Sequence, residues 1–156
     1  MSFFVCHLRF FWYNTTLKIV DQEDMTPDAK TKSFLIVEAA LNKKALNLTL
    51  LEMKGITSFT DYFFICSGTS DRQVQAIAEG IQEVLEGKGA RPLGLEGTLE
   101  GKWILMDYED VVVHVFLEPV RQFYDLEGLW VDAPRINLVK GANIGEERTE
   151  SEKGSR

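Results

Sequence analysis

The run Val111–Leu117, VVVHVFL, constrains the fold more than any other stretch. It is rich in β-branched residues and carries Val, His or Phe on both parities. A strand apolar on both faces belongs in the middle of a sheet covered on both sides. The run Trp103–Met106 precedes it, and Asp107-Tyr108-Glu109-Asp110 lies between them. Two apolar runs around a short acidic turn predict a β-hairpin. A short helix is expected next, with Pro119 in its first turn and Gly128 just past its end.

Upstream, Leu46–Leu50 alternates as a strand with one buried face, and Tyr62–Cys66 predicts a second, more fully buried strand. Gly68 permits a tight strand-to-helix turn. Ser70 and Gln73 have the spacing of a capping box, in which each side chain satisfies an orphan backbone N–H. The helix that follows carries Val74, Ile77, Ala78, Ile81 and Leu85 on one stripe, and Gly89 ends it. An earlier helix is expected over about Pro27–Ala45, with Thr26 as N-cap and Phe34, Val37, Leu41 and Ala45 on one stripe. Arg91–Leu95 is a weak strand, placed at an edge by Pro92. The fold class that results is α/β: a single domain with a mixed sheet of about five strands flanked by helices.

The organisation expected is an extension over 1–25, a domain over 26–134, and a polar tail over 135–156. The extension is aromatic-rich and lacks the basic start and cleavage site of a signal peptide. Met25 could itself initiate the chain, so 1–25 is either a misassigned start or a disordered extension. Residues 145–156, GEERTESEKGSR, contain no apolar side chain and are expected to be disordered.

A net charge of −7 argues against direct readout of nucleic acid, which needs a basic face. It suits a basic protein partner or a merely soluble acidic surface. Two cysteines, Cys6 and Cys66, make no disulfide framework and point to a reducing compartment. His7 and His114 without a neighbouring Cys pair make no zinc site. No run approaches the roughly 20 apolar residues of a membrane span.

Several motifs occur in one order: Ser58-Phe59-Thr60-Asp61-Tyr62, then Gly68-Thr69-Ser70-Asp71-Arg72-Gln73-Val74, then Glu96-Gly97. Trp103 and Asp107–Phe116 follow, then Phe123-Tyr124, Leu126-Glu127 and Leu129-Trp130. Together they resemble the ribosomal silencing factor, or Iojap, family over about residues 30–134. The resemblance implies a non-enzymatic translational repressor without a cofactor. It would bind the large ribosomal subunit through large-subunit ribosomal protein fourteen, block subunit joining and lower translation when nutrients are scarce. It also implies a fold related to nucleotidyltransferases. A cytoplasmic location is expected instead from the poor targeting character of the N-terminus, with bacterial cytosol and organelle left open. Where this chain has Glu109 the family often has Gly, so a positive φ there would cost something like 1 kcal/mol.

The docking residues expected are Trp103, Asp107, Tyr108, Glu109, Asp110 and Tyr124. Aromatic anchors would carry the energy and carboxylates would pair with a basic partner. Of the adjacent pair, Phe123 is expected inward and Tyr124 outward, with Trp130 folding back as a cap contact. His114 is expected to be buried and hydrogen-bonded, with Asp61 or a backbone carbonyl accepting its proton.

The alternative is a nucleotidyltransferase-like enzyme. Asp107 and Glu109 would hold a metal ion and Gly68-Thr69-Ser70 would cradle phosphate. Missing from it is a Walker-type lysine after Gly68. A homodimeric scaffold is a third reading.

Overall fold

A computed structural model describes residues 26–138. In chain order its elements are α1 (Ala29–Asn42), β1 (Leu46–Glu52), β2 (Tyr62–Gly68), α2 (Asp71–Glu86), β3 (Gly94–Glu96), β4 (Trp103–Asp107), β5 (Val111–Leu117), α3 (Glu118–Tyr124), α4 (Leu126–Leu129) and β6 (Arg135–Ile136). The readings of 1–25 and of the stretch beyond 138 lie outside the described residues.

β2 and β5 are parallel neighbours, paired from Tyr62↔Val111 to Gly68↔Leu117. Both are buried almost end to end, as their two-sided apolar character requires. β1 and β4 flank them antiparallel, and the full order is β3-β4-β5-β2-β1-β6. α1 and α2 cover one face, over Leu50, Phe64, Cys66, Ile104, Met106, Val113 and Val115. The other face carries Leu51, Phe63, Ile65, Val112 and Phe116 beneath Val120, Leu126 and Trp130. Each fully buried Leu, Ile or Phe contributes roughly 1.5–3 kcal/mol, so this double-sided burial is the main source of stability.

Six strands form where about five were expected. The sixth, β6, pairs Ile136 with Leu50 and Arg135 with Leu51. Leu138 also packs on the core, so ordered structure continues past the expected boundary at 134.

α1 starts later than expected. Asp28, not Thr26, is its N-cap, and its carboxylate accepts from the Thr31 N–H at 2.8 Å. The helix ends at Asn42, and Lys44 turns the chain with φ 59°. Ala45 therefore cannot share the helical stripe. The buried stripe is Ser33, Ile36, Val37 and Ala40, while Leu41 is 41 % exposed.

The alternation of β1 is also interrupted. Asn47 has φ 52° and the register shifts between Leu46 and Thr49. Leu46 is left exposed, and Leu50 and Leu51 are buried on opposite faces.

α2 forms as the sequence reads. Ser70 Oγ accepts from the Gln73 N–H at 3.2 Å. Gln73 Oε1 accepts from Thr69, both its N–H at 2.7 Å and its hydroxyl at 2.9 Å, so the reciprocal half of the box reaches one residue further back than Ser70. Gly89, at φ 81°, follows the helix end.

Candidate functional site: an aromatic groove

The hairpin register sets Trp103 opposite Phe116 at the open end of β4 and β5. β5 then runs directly into α3, whose first turn contains Pro119. Proline suits that turn because its missing N–H would be unpaired there anyway. α3 lasts only to Tyr124, because Asp125 adopts φ 43°. This turn brings Tyr124 over Trp103, with ring centroids 5.0 Å apart, and sets Phe123 edge-on to Tyr124 at 5.1 Å. The result is a groove of about 470 Å³ between α3 and the 97–102 loop. Trp103, Phe123, Tyr124, Pro119 and Val120 line one side, and Gly97, Glu100 and Lys102 line the other.

Tyr124 is 52 % exposed, but Phe123 is 80 % exposed and does not point inward. A seven-residue helix has one inward stripe, and Val120 and Arg121 occupy it. Gly128 lies inside α4 rather than past the end of a longer helix; a Cβ there would run into the Asp125 carboxylate. Trp130 packs edge-on against Phe63 at 5.8 Å, as part of the lower core.

Trp103 is half-buried and held on three sides. Its ring stacks on Phe116 at 4.9 Å, and its indole N–H donates to His114 Nδ1 at 3.2 Å. His114 is buried as expected, but neither Asp61 nor a backbone carbonyl accepts its proton. Nδ1 is the acceptor, so the proton sits on Nε2, which has no hydrogen-bond partner among the described residues. Burial pushes the imidazole pKa down to about 4, so His114 is neutral near pH 7.

The acidic tip is a separate place. Trp103 and Asp107 stand at opposite ends of β4, four residue steps or about 13 Å of extended chain apart. Tyr108 is only 3 % exposed and packs in the helix-face core, so it cannot serve as an exposed anchor. A tight turn can aim one of its four side chains inward, and here the apolar ring takes that position. Asp107 Oδ1 accepts from the Glu109 N–H at 2.8 Å, and Asp110 pairs with the nearly buried Lys32 at 2.7 Å. Glu109 points to solvent with φ 73°, and the Asp110 N–H donates to the Tyr108 carbonyl at 3.0 Å. That is a strained γ-turn with positive φ.

Arg121 links α3 to the sheet. Its guanidinium donates to the Asn47 carbonyl at 2.7 Å, to Ser67 Oγ at 2.9 Å and to the Glu127 carboxylate. The hydrogen bond from Arg121 holds the Glu127 carboxyl below its usual range. This cluster fills the crevice outside the carboxyl ends of β2 and β5, where an open α/β sheet usually binds ligands. At the start of α2, Ser70, Gln73 and Asp71 side chains already accept from the Gln73, Thr69 and Arg72 N–H groups. The expected phosphate cradle is thus occupied by the chain itself. No cluster of three metal-ligating side chains occurs among the described residues.

Sequence reasoning missed Phe123 and Arg121. Nothing in the local pattern marks Arg121 as buried. The Trp103–His114 contact was missed too, although a hairpin register that pairs Trp103 with Phe116 makes the two diagonal neighbours on one face and could have found it.

Fold and site together define a small mixed α/β protein with a preformed aromatic groove at one end of its sheet. The family model described as ribosomal silencing factor during starvation matches residues 26–156, and the chain belongs to that family. Ribosomal silencing factor RsfS of Bacillus subtilis is 46 % identical over 114 residues, covering 72 % of this chain and 97 % of that protein. A crystal structure of a Chromobacterium violaceum protein superposes with a TM-score of 0.66 at 37 % identity, covering 67 % of this chain and 88 % of that one. A mouse relative named mitochondrial assembly of ribosomal large subunit protein 1 is 28 % identical over 105 residues, 65 % of this chain and 46 % of that protein.

Proposed function

We propose that this chain is a translational repressor of the cytoplasm. It docks on the large ribosomal subunit through large-subunit ribosomal protein fourteen and sterically keeps the small subunit from joining. Family membership supports the ribosomal setting. The groove built by Trp103, Phe123 and Tyr124 is the observation that carries the docking reading. Exposed aromatic rings in a preformed concave site, on a chain of net charge −7, suit a basic protein surface. The rings supply the energy of the contact and the acidic surface steers encounter. Glu109, Asp107 and Asp110 lie at the other end of β4 and act as a rim charge rather than as anchors.

The enzyme alternative finds less support. Asp107 and Asp110 are engaged within the protein, and the crevice at the strand ends is filled by the Arg121 cluster. Isothermal titration with Mg²⁺-nucleotide separates the readings, since tight binding with turnover would favour the enzyme.

Co-sedimentation with isolated large and small subunits tests the proposal. Binding to large subunits alone is expected, and Trp103→Ala with Tyr124→Ala should weaken it by about 2–4 kcal/mol. Undiminished binding by the folded double variant would remove the groove from the docking surface. A monomer–dimer equilibrium without ribosome binding would favour a homodimeric scaffold instead.

A further inference from the structure

The groove floor depends on a buried residue, His114, which is 4 % exposed. Trp103 is half-buried, with an open groove of about 470 Å³ beside it. Stacking on Phe116 alone would let the indole slide or rotate in its own plane, because ring stacking is broad in angle. The hydrogen bond to His114 Nδ1 removes that freedom. It turns the polar edge of the indole inward and leaves an aromatic face and edge toward the groove, tilted 46° to the Tyr124 ring.

His114 is a poor choice for packing alone. It is buried between Phe63 at 5.3 Å, Trp103 at 6.0 Å and Phe116 at 6.1 Å. Its Nε2–H has no partner among the described residues. A buried donor left unpaired weakens a fold, and a leucine or phenylalanine would carry no such group. What the imidazole supplies and a hydrocarbon cannot is an acceptor at the Nδ1 position.

We propose that His114 is a positioning residue, which fixes the Trp103 indole through its Nδ1 acceptor and so pre-shapes the aromatic groove for a protein partner. The inference rests on the docking reading above. Preorganising an anchor ring lowers the ordering cost of association, so His114 acts on affinity without touching the partner.

The test compares His114→Leu with His114→Asn, whose Oδ1 stands near the Nδ1 position. In the intact protein, the Trp103 indole N–H resonance is assigned by its loss in Trp103→Phe. It should be shifted downfield and protected from exchange. In His114→Leu it should move to the free-indole position and exchange fast, while thermal unfolding stays unchanged or rises. Affinity for isolated large subunits should fall about five- to tenfold, the hold of one hydrogen bond. His114→Asn should restore both the resonance and the affinity. A purely structural histidine would instead lower thermal stability and leave the indole resonance where it is, and that result overturns the proposal. A moved resonance with undiminished affinity also overturns it, provided Trp103→Ala weakens binding in the same assay. If Trp103→Ala binds like the parent, the docking reading has failed, and the proposed gain in affinity falls with it.

Discussion

Replacing Arg121 by methionine should destabilise the protein far more than a surface ion pair could. The guanidinium holds three elements at once: β1 through the Asn47 carbonyl and Thr49, β2 through Ser67, and α4 through Glu127. Its side chain is 8 % exposed and that of Glu127 is 17 % exposed. Methionine fills most of the volume but leaves Glu127 with the Thr49 hydroxyl as its remaining donor and Ser67 Oγ without the guanidinium, both in low-dielectric surroundings. Removing one partner of a buried pair costs about 3–5 kcal/mol. Glu127 keeps some contact with water, so the low end applies, about 3 kcal/mol. With a urea slope of about 1.5 kcal/mol/M for a domain of this size, the midpoint should fall by about 2 M at unchanged slope.

Glu127→Met should cost similarly, whereas the double variant, with no charge left to bury, should recover much of the loss. A loss below about 1 kcal/mol for Arg121→Met would place the pair among exposed ion pairs and refute the clasp. Because α3 and α4 depend on this clasp, the groove wall should loosen with it, and quenching of Trp103 fluorescence by iodide should increase.

Three other outcomes follow from the same geometry. Glu109→Gly relieves a positive φ of 73°, and after the extra chain entropy of glycine it should stabilise by about 0.5–1 kcal/mol, read as a higher urea midpoint. The His114 pKa falls from 6.5 in the unfolded chain to about 4 in the folded one. Its unfolded form therefore binds more protons between those values, and stability is full above pH 6.5 and lost as pH falls toward 4. At pH 4 the loss from this group is about 3 kcal/mol, and His114→Leu should abolish that part of the pH profile. Phe123→Ser should change stability by less than about 0.5 kcal/mol, because the ring is exposed, yet weaken large-subunit binding in a pull-down.

The elements governed by local chemistry were legible. Val111–Leu117 announces a central strand because both parities are apolar, and Ser70 announces a helix start because its hydroxyl has an N–H to satisfy. What tertiary contact decides was not. Thr26 and Asp28 are both good caps around Pro27, and the difference lies in which side chain reaches an N–H. β6 is two residues long and pairs with the edge that β1 offers. Arg121 reads as a surface residue, since its acceptors come from positions 47, 49, 67 and 127.

The candidate site's geometry was half legible. Trp103 and Tyr124 do meet, at 5.0 Å. The acidic tip was grouped with them because the sequence puts Asp107 near Trp103, while an extended strand carries the two apart. The exposure of Phe123 rather than its burial was beyond a seven-residue helix with no clear period.

Light scattering of purified large and small subunits, recorded as they reassociate with a stoichiometric excess of this protein, reads out whether it holds them apart. Scattering should stay at the level of separate subunits, and Trp103→Ala with Tyr124→Ala should restore joining. Full reassociation in the presence of the folded parent protein would contradict the steric block.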